Sequence, residues 1–290
     1  MKPAPFDYAA ARSVDEAVEL LAQYGQDCRV MAGGQSLMAM MNLRTVRPAV
    51  IVDISKVKEL TTWFETEEGI TIGAMVRQRQ LETDEKLRAA VPLLAIAIHS
   101  VGHSATRSRG TIVGSLCHAD PAAEMPVCAV TMQATLLLQS KRGTREVPAD
   151  EFFTGIFSTA AGEDEMVTAV RFPRLARRSS VAFEEIARRH GDFAMASAAC
   201  ILDFEATGAI KDVRLVFGGV GDVPVRGIAG EKILTGTKAT EKEIDAAAKA
   251  AADTLEPYDD IHATADYRKA VAVVLAERVL SNAVSTQIRS

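Results

Sequence analysis

Ala32-Gly33-Gly34-Gln35-Ser36 and, further along the chain, Thr111-Ile112-Val113-Gly114-Ser115 are the two stretches on which the fold turns. Each is a short glycine-bearing loop with a hydroxyl within two residues of its last glycine. Glycines at such points permit positive φ and let an anion approach the backbone without a Cβ in the way. A serine or threonine leading into a helix adds unsatisfied N–H groups and the favourable end of the helix dipole. One loop of this kind is also an ordinary strand-to-helix turn. Two of them suit a pair of linked phosphates, and so a dinucleotide. Neither has the GxGxxG or GxxxxGK[ST] form, so the Rossmann and P-loop readings are not available. Gly219-Val220-Gly221 looks similar, but Pro224 stands where the third glycine or alanine belongs, and a turn is expected there.

The segments around the loops read as an α/β unit. Ser13-Val14-Asp15-Glu16 is a capping box, followed by Val14, Ala17, Val18 and Leu21 at helical spacing. The strand Cys28-Arg29-Val30-Met31 runs into the first loop, and Ser36 can cap a short helix through Leu37, Met38, Met40 and Met41. Residues 49–54 are a nearly continuous apolar strand, as expected when both faces are covered. Beyond residue 60, strands are expected at 69–73, 135–138 and 167–172, with a hairpin turn at 141–144 and a helical segment around 92–100 before the second loop. The polar stretch 174–180 is the best domain boundary. After it come strands at 181–187, 196–205 and 210–217, then helices from a second capping box at Thr240-Glu241-Lys242-Glu243 and from Asp266 to Ala283.

Composition narrows the function. The 290 residues are 48% hydrophobic and 24% charged, which is ordinary globular composition. A net charge of −5 leaves no basic excess for a nucleic-acid surface. No apolar run reaches the roughly 20 residues of a membrane span, and the N-terminus has no secretory h-region. Cys28, Cys117, Cys128 and Cys200 are too scattered for a zinc or iron–sulfur site, and a cytoplasmic protein with reduced thiols is expected. His99 and His103 have i, i+4 spacing without a third ligand, so no metal site is expected. Ser36 lacks a GxSxG elbow.

Taken in order, Ala32–Ser36, Arg109–Leu116, His118-Ala119-Asp120-Pro121-Ala122-Ala123-Glu124 and Ala187-Arg188-Arg189-His190-Gly191-Asp192-Phe193-Ala194 resemble the FAD-binding medium subunit of the molybdenum hydroxylases, the carbon monoxide dehydrogenase and xanthine dehydrogenase family. The resemblance covers nearly the whole chain. It implies an α+β fold: a two-part FAD-binding domain over residues 1–174, like that of vanillyl-alcohol oxidase, then a C-terminal domain over 175–290 with an antiparallel sheet and helices. The first domain would divide into a small α/β unit at about 1–58 and a larger mixed unit at 59–174.

The resemblance also implies a contact set for FAD. Met31, Ala32, Gly33, Gly34, Gln35, Ser36 and Leu37, with Gly102, Thr106, Gly110, Thr111, Gly114 and Ser115, would cradle the pyrophosphate. His118 and Asp120 would shape the flavin site, Glu124 would stand near the ribityl or pyrophosphate region, and Asp192 and Phe193 would approach the isoalloxazine. Met166 would lie against the flavin or adenine end. No residue is required as a general acid or base. Electrons would come from a molybdenum cofactor on a large subunit through two [2Fe–2S] clusters on a small one, in a dimer of heterotrimers, and leave FAD for an external acceptor. A self-contained FAD oxidoreductase and a flavin-free scaffold are the alternatives. Two departures from the family stand out. Val113 replaces a glycine of the second loop, where a β-branched residue resists positive φ. Glu184-Glu185 occupies a position where lysine is common, either facing solvent or removing a cation from near the flavin.

Overall fold

A computed structural model describes residues 1–289. The chain opens with the strand Asp7–Ala10 and the helix Val14–Tyr24. Ser13 Oγ accepts from the Glu16 N–H at 3.1 Å, while the Glu16 carboxylate reaches past the cap to the Arg12 N–H at 2.7 Å. Val14, Ala17, Val18 and Leu21 form the helix's buried face, as their spacing predicts. Val50–Asp53 is the middle strand of a three-stranded parallel sheet, flanked by Asp7–Ala10 and Cys28–Met31. All four of its residues are buried, which accounts for its unbroken apolar run. Asp53 ends it, accepting from the Tyr8 hydroxyl at 2.5 Å and from the Ser55 N–H at 2.8 Å.

The second unit is a five-stranded antiparallel sheet. Its order is Trp63–Thr66, Gly69–Gly73, Met166–Phe172, Thr135–Ser140 and Gly143–Pro148. The excursion between Gly73 and Thr135 is helical throughout: Gln78–Thr83, Glu85–Ala90, Pro92–Ala97, Ser104–Arg109, Ile112–His118 and Glu124–Thr131. The helix expected to run to residue 100 stops at Ala97, and the next begins at Ser104 with His103 as its extended N-cap. His99 and His103 therefore do not share a helix face.

The C-terminal sheet pairs Ser179–Ile186, Ala196–Phe204, Ile210–Gly218 and Val225–Arg226 in antiparallel order. Its two faces serve two cores. Phe183, Ala199, Ile201 and Val216 join the core of the N-terminal half. Ala182, Ala198, Cys200, Leu202, Leu215 and Phe217 pack instead against the helices Ile228–Leu234, Glu241–Asp253 and Ala265–Arg289. Double coverage explains why Ala196–Phe204 is buried at eight of nine positions. The Thr240 capping box forms fully, with the Thr240 N–H bonding Glu243 at 2.8 Å.

Candidate functional site: a two-loop backbone cradle

Gly33 is where the two halves of the cradle meet. A Cβ built on it would lie 2.3 Å from the Arg109 carbonyl oxygen and 2.8 Å from Gly110 Cα. The first loop therefore rests directly on the backbone of the second, and only glycine permits that approach. Gly34 serves differently: its φ of +71° turns the chain from the strand Cys28–Met31 towards the helix Leu37–Leu43. Ser36 precedes that helix, but its hydroxyl makes no capping bond.

The second loop is more regular than its sequence suggests. Thr111 N-caps the helix Ile112–His118, its hydroxyl accepting from the Gly114 N–H at 2.9 Å. A Cβ on Gly114 would fall 2.6 Å from that same hydroxyl, so glycine protects the cap. Val113 sits in the helix's first turn, 2% exposed in the core. It needs no positive φ. The resistance of a β-branched residue to positive φ therefore does not come into play, and such a residue costs little in a helical turn whose side chain is buried.

The cradle presents donors with nothing to bind. Among the described residues, no protein group accepts from the backbone N–H of Gly33, Gly34, Gln35, Ser36 or Leu37, nor from that of Thr111 or Val113. Residues 31–34 and 36–37 are half-buried and Gln35 is exposed, so solvent or a ligand can reach them. Free N–H groups from two abutting loops fit an anionic diphosphate. Arg77 reinforces the junction by donating to the Arg109 carbonyl. Burial and Arg109 lower its pKa, and the nearby Asp53 opposes them. No motif in the sequence singled Arg77 out.

The remaining expected residues divide. Gly102, with φ +45°, and Thr106 belong to the turn and helix before the second loop; the Thr106 carbonyl accepts from the Gly110 N–H at 2.7 Å. Arg107, 8% exposed, holds that turn by donating to the Val101 and Gly102 carbonyls at 2.8 and 3.0 Å and to Glu82 at 2.9 Å. The C-terminal half comes to this turn, since a Cβ on Gly191 would strike the His103 ring at 2.7 Å and the Gly102 carbonyl at 2.9 Å. Asp192 and Phe193 follow on that loop, Phe193 with 70% of its surface open. Ser115 is half-buried on the capped helix.

His118 and Asp120 lie at the far end of the same helix, with Nε2 and Oδ2 4.0 Å apart and the imidazole 5.0 Å from the Phe157 ring. Burial lowers the His118 pKa, partly offset by Asp120, and so favours the uncharged ring. Glu124 and Met166 are placed differently from the cradle residues. Both are buried, at 7% and 3% exposure, and the Met166 side chain lies in the core of the N-terminal half. Phe157 carried no sequence signal. Its backbone N–H bonds the Ala119 carbonyl at 3.0 Å, a long-range contact that no local pattern encodes.

Comparison with known proteins agrees with this geometry along the chain. Residues 4–175 match the family described as the FAD binding domain in molybdopterin dehydrogenase, and residues 181–283 match the carbon monoxide dehydrogenase flavoprotein C-terminal domain. This chain is a member of the molybdenum-hydroxylase flavoprotein family, an FAD-binding medium subunit. It is 38% identical to the 6-hydroxypseudooxynicotine dehydrogenase complex subunit alpha of Paenarthrobacter nicotinovorans, over 98% of this chain and 96% of the relative. It is 35% identical to the carbon monoxide dehydrogenase medium chain of Hydrogenophaga pseudoflava, with 98% of each covered. Among solved structures, that organism's carbon monoxide dehydrogenase superposes with a TM-score of 0.95 at 36% identity, covering 99% of each chain. Quinoline 2-oxidoreductase from Pseudomonas putida 86 also gives 0.95, at 35% identity, covering 99% of this chain and 100% of that one. The medium subunit is thus part of an oxidoreductase. None of its described helices is long and apolar enough to cross a membrane.

Proposed function

We propose that this medium subunit holds FAD in the two-loop cradle and relays electrons from iron–sulfur clusters on a partner subunit to an external acceptor. The observation that carries the reading is the row of free N–H groups on loops locked together through Gly33 and Arg109. The pyrophosphate would lie on the N–H groups of residues 33–37 and on the Thr111-capped helix, with Arg77 and Arg109 adding positive charge nearby. FAD, when bound, can take electrons singly and give them up singly or in pairs. The chain's own residues bind and orient it. The Gly191–Phe193 loop, braced on Gly102 and His103, would cover the flavin, and exposed Phe193 would supply an apolar wall. His118 and Asp120 would border the site.

The partners follow from what the chain lacks and what its relatives are. Its four cysteines are free and separated, and among the described residues no group of three or more potential ligands could hold a metal. The clusters and the molybdenum cofactor would therefore sit on small and large subunits, assembled as a dimer of heterotrimers in the cytoplasm. The chain would divide at residue 174, with the N-terminal half itself split near residue 58.

Flavin released by heating the purified protein tests the reading. FAD in near-stoichiometric amount is expected, and FMN is not, since two loops are shaped for two phosphates. A colourless protein that takes up no added FAD overturns it.

A further inference from the structure

The loop over residues 187–194, between the first two strands of the C-terminal sheet, does little to hold itself. Among the described residues its one backbone hydrogen bond runs from the Asp192 N–H to the Arg189 carbonyl at 3.1 Å. Arg188, Arg189, His190, Asp192 and Phe193 are all exposed. The strand leading in is tied to the last helix, since Glu184 accepts from Asn282 at 2.7 Å, while Glu185 turns inward with its Oε2 buried. Within the loop, Gly191 is fixed from outside, its φ of +85° setting it against the His103 ring and the Gly102 carbonyl. A second anchor lies just past the loop, at Met195.

There the chain packs backbone against backbone. A Cβ on Gly219 would fall 2.9 Å from the Met195 carbonyl oxygen and 3.3 Å from that of Ala194. The Gly219 N–H bonds the Pro121 carbonyl at 2.8 Å. The Gly219-Val220-Gly221 segment, which looks like a nucleotide loop in sequence, is thus a backbone joint. It brings the Met195 and Gly219 carbonyls towards one point, and a single terminal nitrogen of Arg268 donates to both, at 2.9 Å to Gly219. Converging carbonyl dipoles repel, and a cation between them turns repulsion into attraction.

Arg268 is an unlikely residue to find there unless it is needed. It is 5% exposed and stands in the first turn of the helix Ala265–Arg289, where the helix dipole disfavours a cation. Its acceptors offset both costs. Besides the two carbonyls, the other terminal nitrogen donates to Asp260 at 2.7 Å, and the Tyr258 ring lies 6.0 Å from the guanidinium. Asp260 is itself held, its other oxygen accepting from the His262 and Ala263 N–H groups at 2.8 and 2.9 Å. Burial raises its pKa, but those amides and Arg268 outweigh burial and keep it at about 2, so it is a full anion.

We propose that Arg268 is a positioning residue for this loop: with Asp260 as its counter-charge it latches Met195 to Gly219, and so fixes Phe193. Only Asp192, Phe193 and Ala194 lie between the two anchors, and so short a span between fixed ends has little slack. Phe193, 70% exposed, is then a fixed platform. What it does for the cofactor rests on the FAD reading above: the latch sets how Phe193 meets the isoalloxazine.

Asp260→Asn in the full chain with FAD bound tests the latch. Asparagine keeps an oxygen for the His262 and Ala263 amides but turns a donor towards Arg268, so the turn survives and the charge pair does not. Amide hydrogen exchange at residues 192–195 should quicken by about tenfold, with no change in the helix Val14–Tyr24. Arg268→Lys should loosen the same amides, because one ammonium cannot span both carbonyls and the carboxylate. The visible circular dichroism of bound flavin should weaken, and FAD should leave several-fold faster. Phe193→Ala should change the flavin likewise, and adding Asp260→Asn to it should change the flavin little further. Unchanged exchange at 192–195 in both Asp260→Asn and Arg268→Lys overturns the proposal. So does exchange that quickens equally in the helix Val14–Tyr24, since Arg268 would then support the whole fold and not the loop. If the loop loosens while the flavin signal and FAD release stay as in wild type, the latch stands and the placing of flavin beside Phe193 fails.

Discussion

A methyl group at Gly33 would meet the Arg109 carbonyl at 2.3 Å, and that neighbour is backbone that cannot step aside cheaply. Gly33→Ala is expected to cost about 1–3 kcal/mol by overpacking and to strip FAD, read as flavin stoichiometry alongside Tm. Gly34→Ala meets only the Met31 and Met38 side chains at 3.4 Å, so its penalty comes from φ +71° and should be about 1–2 kcal/mol. A larger flavin loss in Gly34→Ala than in Gly33→Ala would contradict this division. Val113 is the opposite case. Restoring glycine there deletes a buried side chain and weakens a helical turn, so Val113→Gly should lose about 2–3 kcal/mol. No gain in FAD affinity should accompany it; tighter flavin binding on titration would revive the idea of a strained loop.

Elements set what those residues can do, and the turn at Val101-Gly102 shows how. The part-buried Arg107–Glu82 pair fixes it, and the Gly191 loop rests on it. Glu82→Gln leaves a buried guanidinium poorly compensated, at a cost of about 3–5 kcal/mol. The Arg107 hydrogen bonds hold Glu82 below its ordinary value, against burial. Its stabilisation is thus present above the unfolded value near 4.5 and is lost as pH falls below it. An acid limb in the melting profile that Glu82→Gln does not shorten would contradict that assignment. None of this was visible in the sequence. Strands such as Gly69–Gly73 and Thr135–Ser140 were legible because alternation or apolar runs announce them. The helix Glu124–Thr131 carries no amphipathic stripe because all its faces are covered, so periodicity is silent there. The loops were legible as glycine clusters. Their mutual contact was not, since Gly33 and Arg109 meet only through tertiary folding, and the inward turn of Glu185 is likewise a property of its strand's pairing.

At the scale of the molecule, the C-terminal sheet is a structural wall of the FAD-binding half as well as a domain of its own. Phe183, Ala199, Ile201 and Val216 complete the N-terminal core, and the Gly219 N–H bonds the Pro121 carbonyl at 2.8 Å in the segment between His118 and Glu124. Arg268 ties the arrangement from the last helix, donating to the Met195 and Gly219 carbonyls and to Asp260. A chain ending at residue 178 would leave one face of the helix Glu124–Thr131 in water. It should therefore aggregate, or melt at least 10 °C below the full chain, as expected for the loss of several buried apolar side chains. It should also fail to retain FAD, although both glycine loops are intact. A truncated protein that melts cooperatively at the full-length Tm and keeps flavin would show instead that the cradle is autonomous. Dependence of the loops on a sheet more than 60 residues downstream also bears on assembly. Under the proposed function, the flavin site would form only once the whole chain has folded, and the subunit would then meet an electron-donating partner with the cofactor already in place.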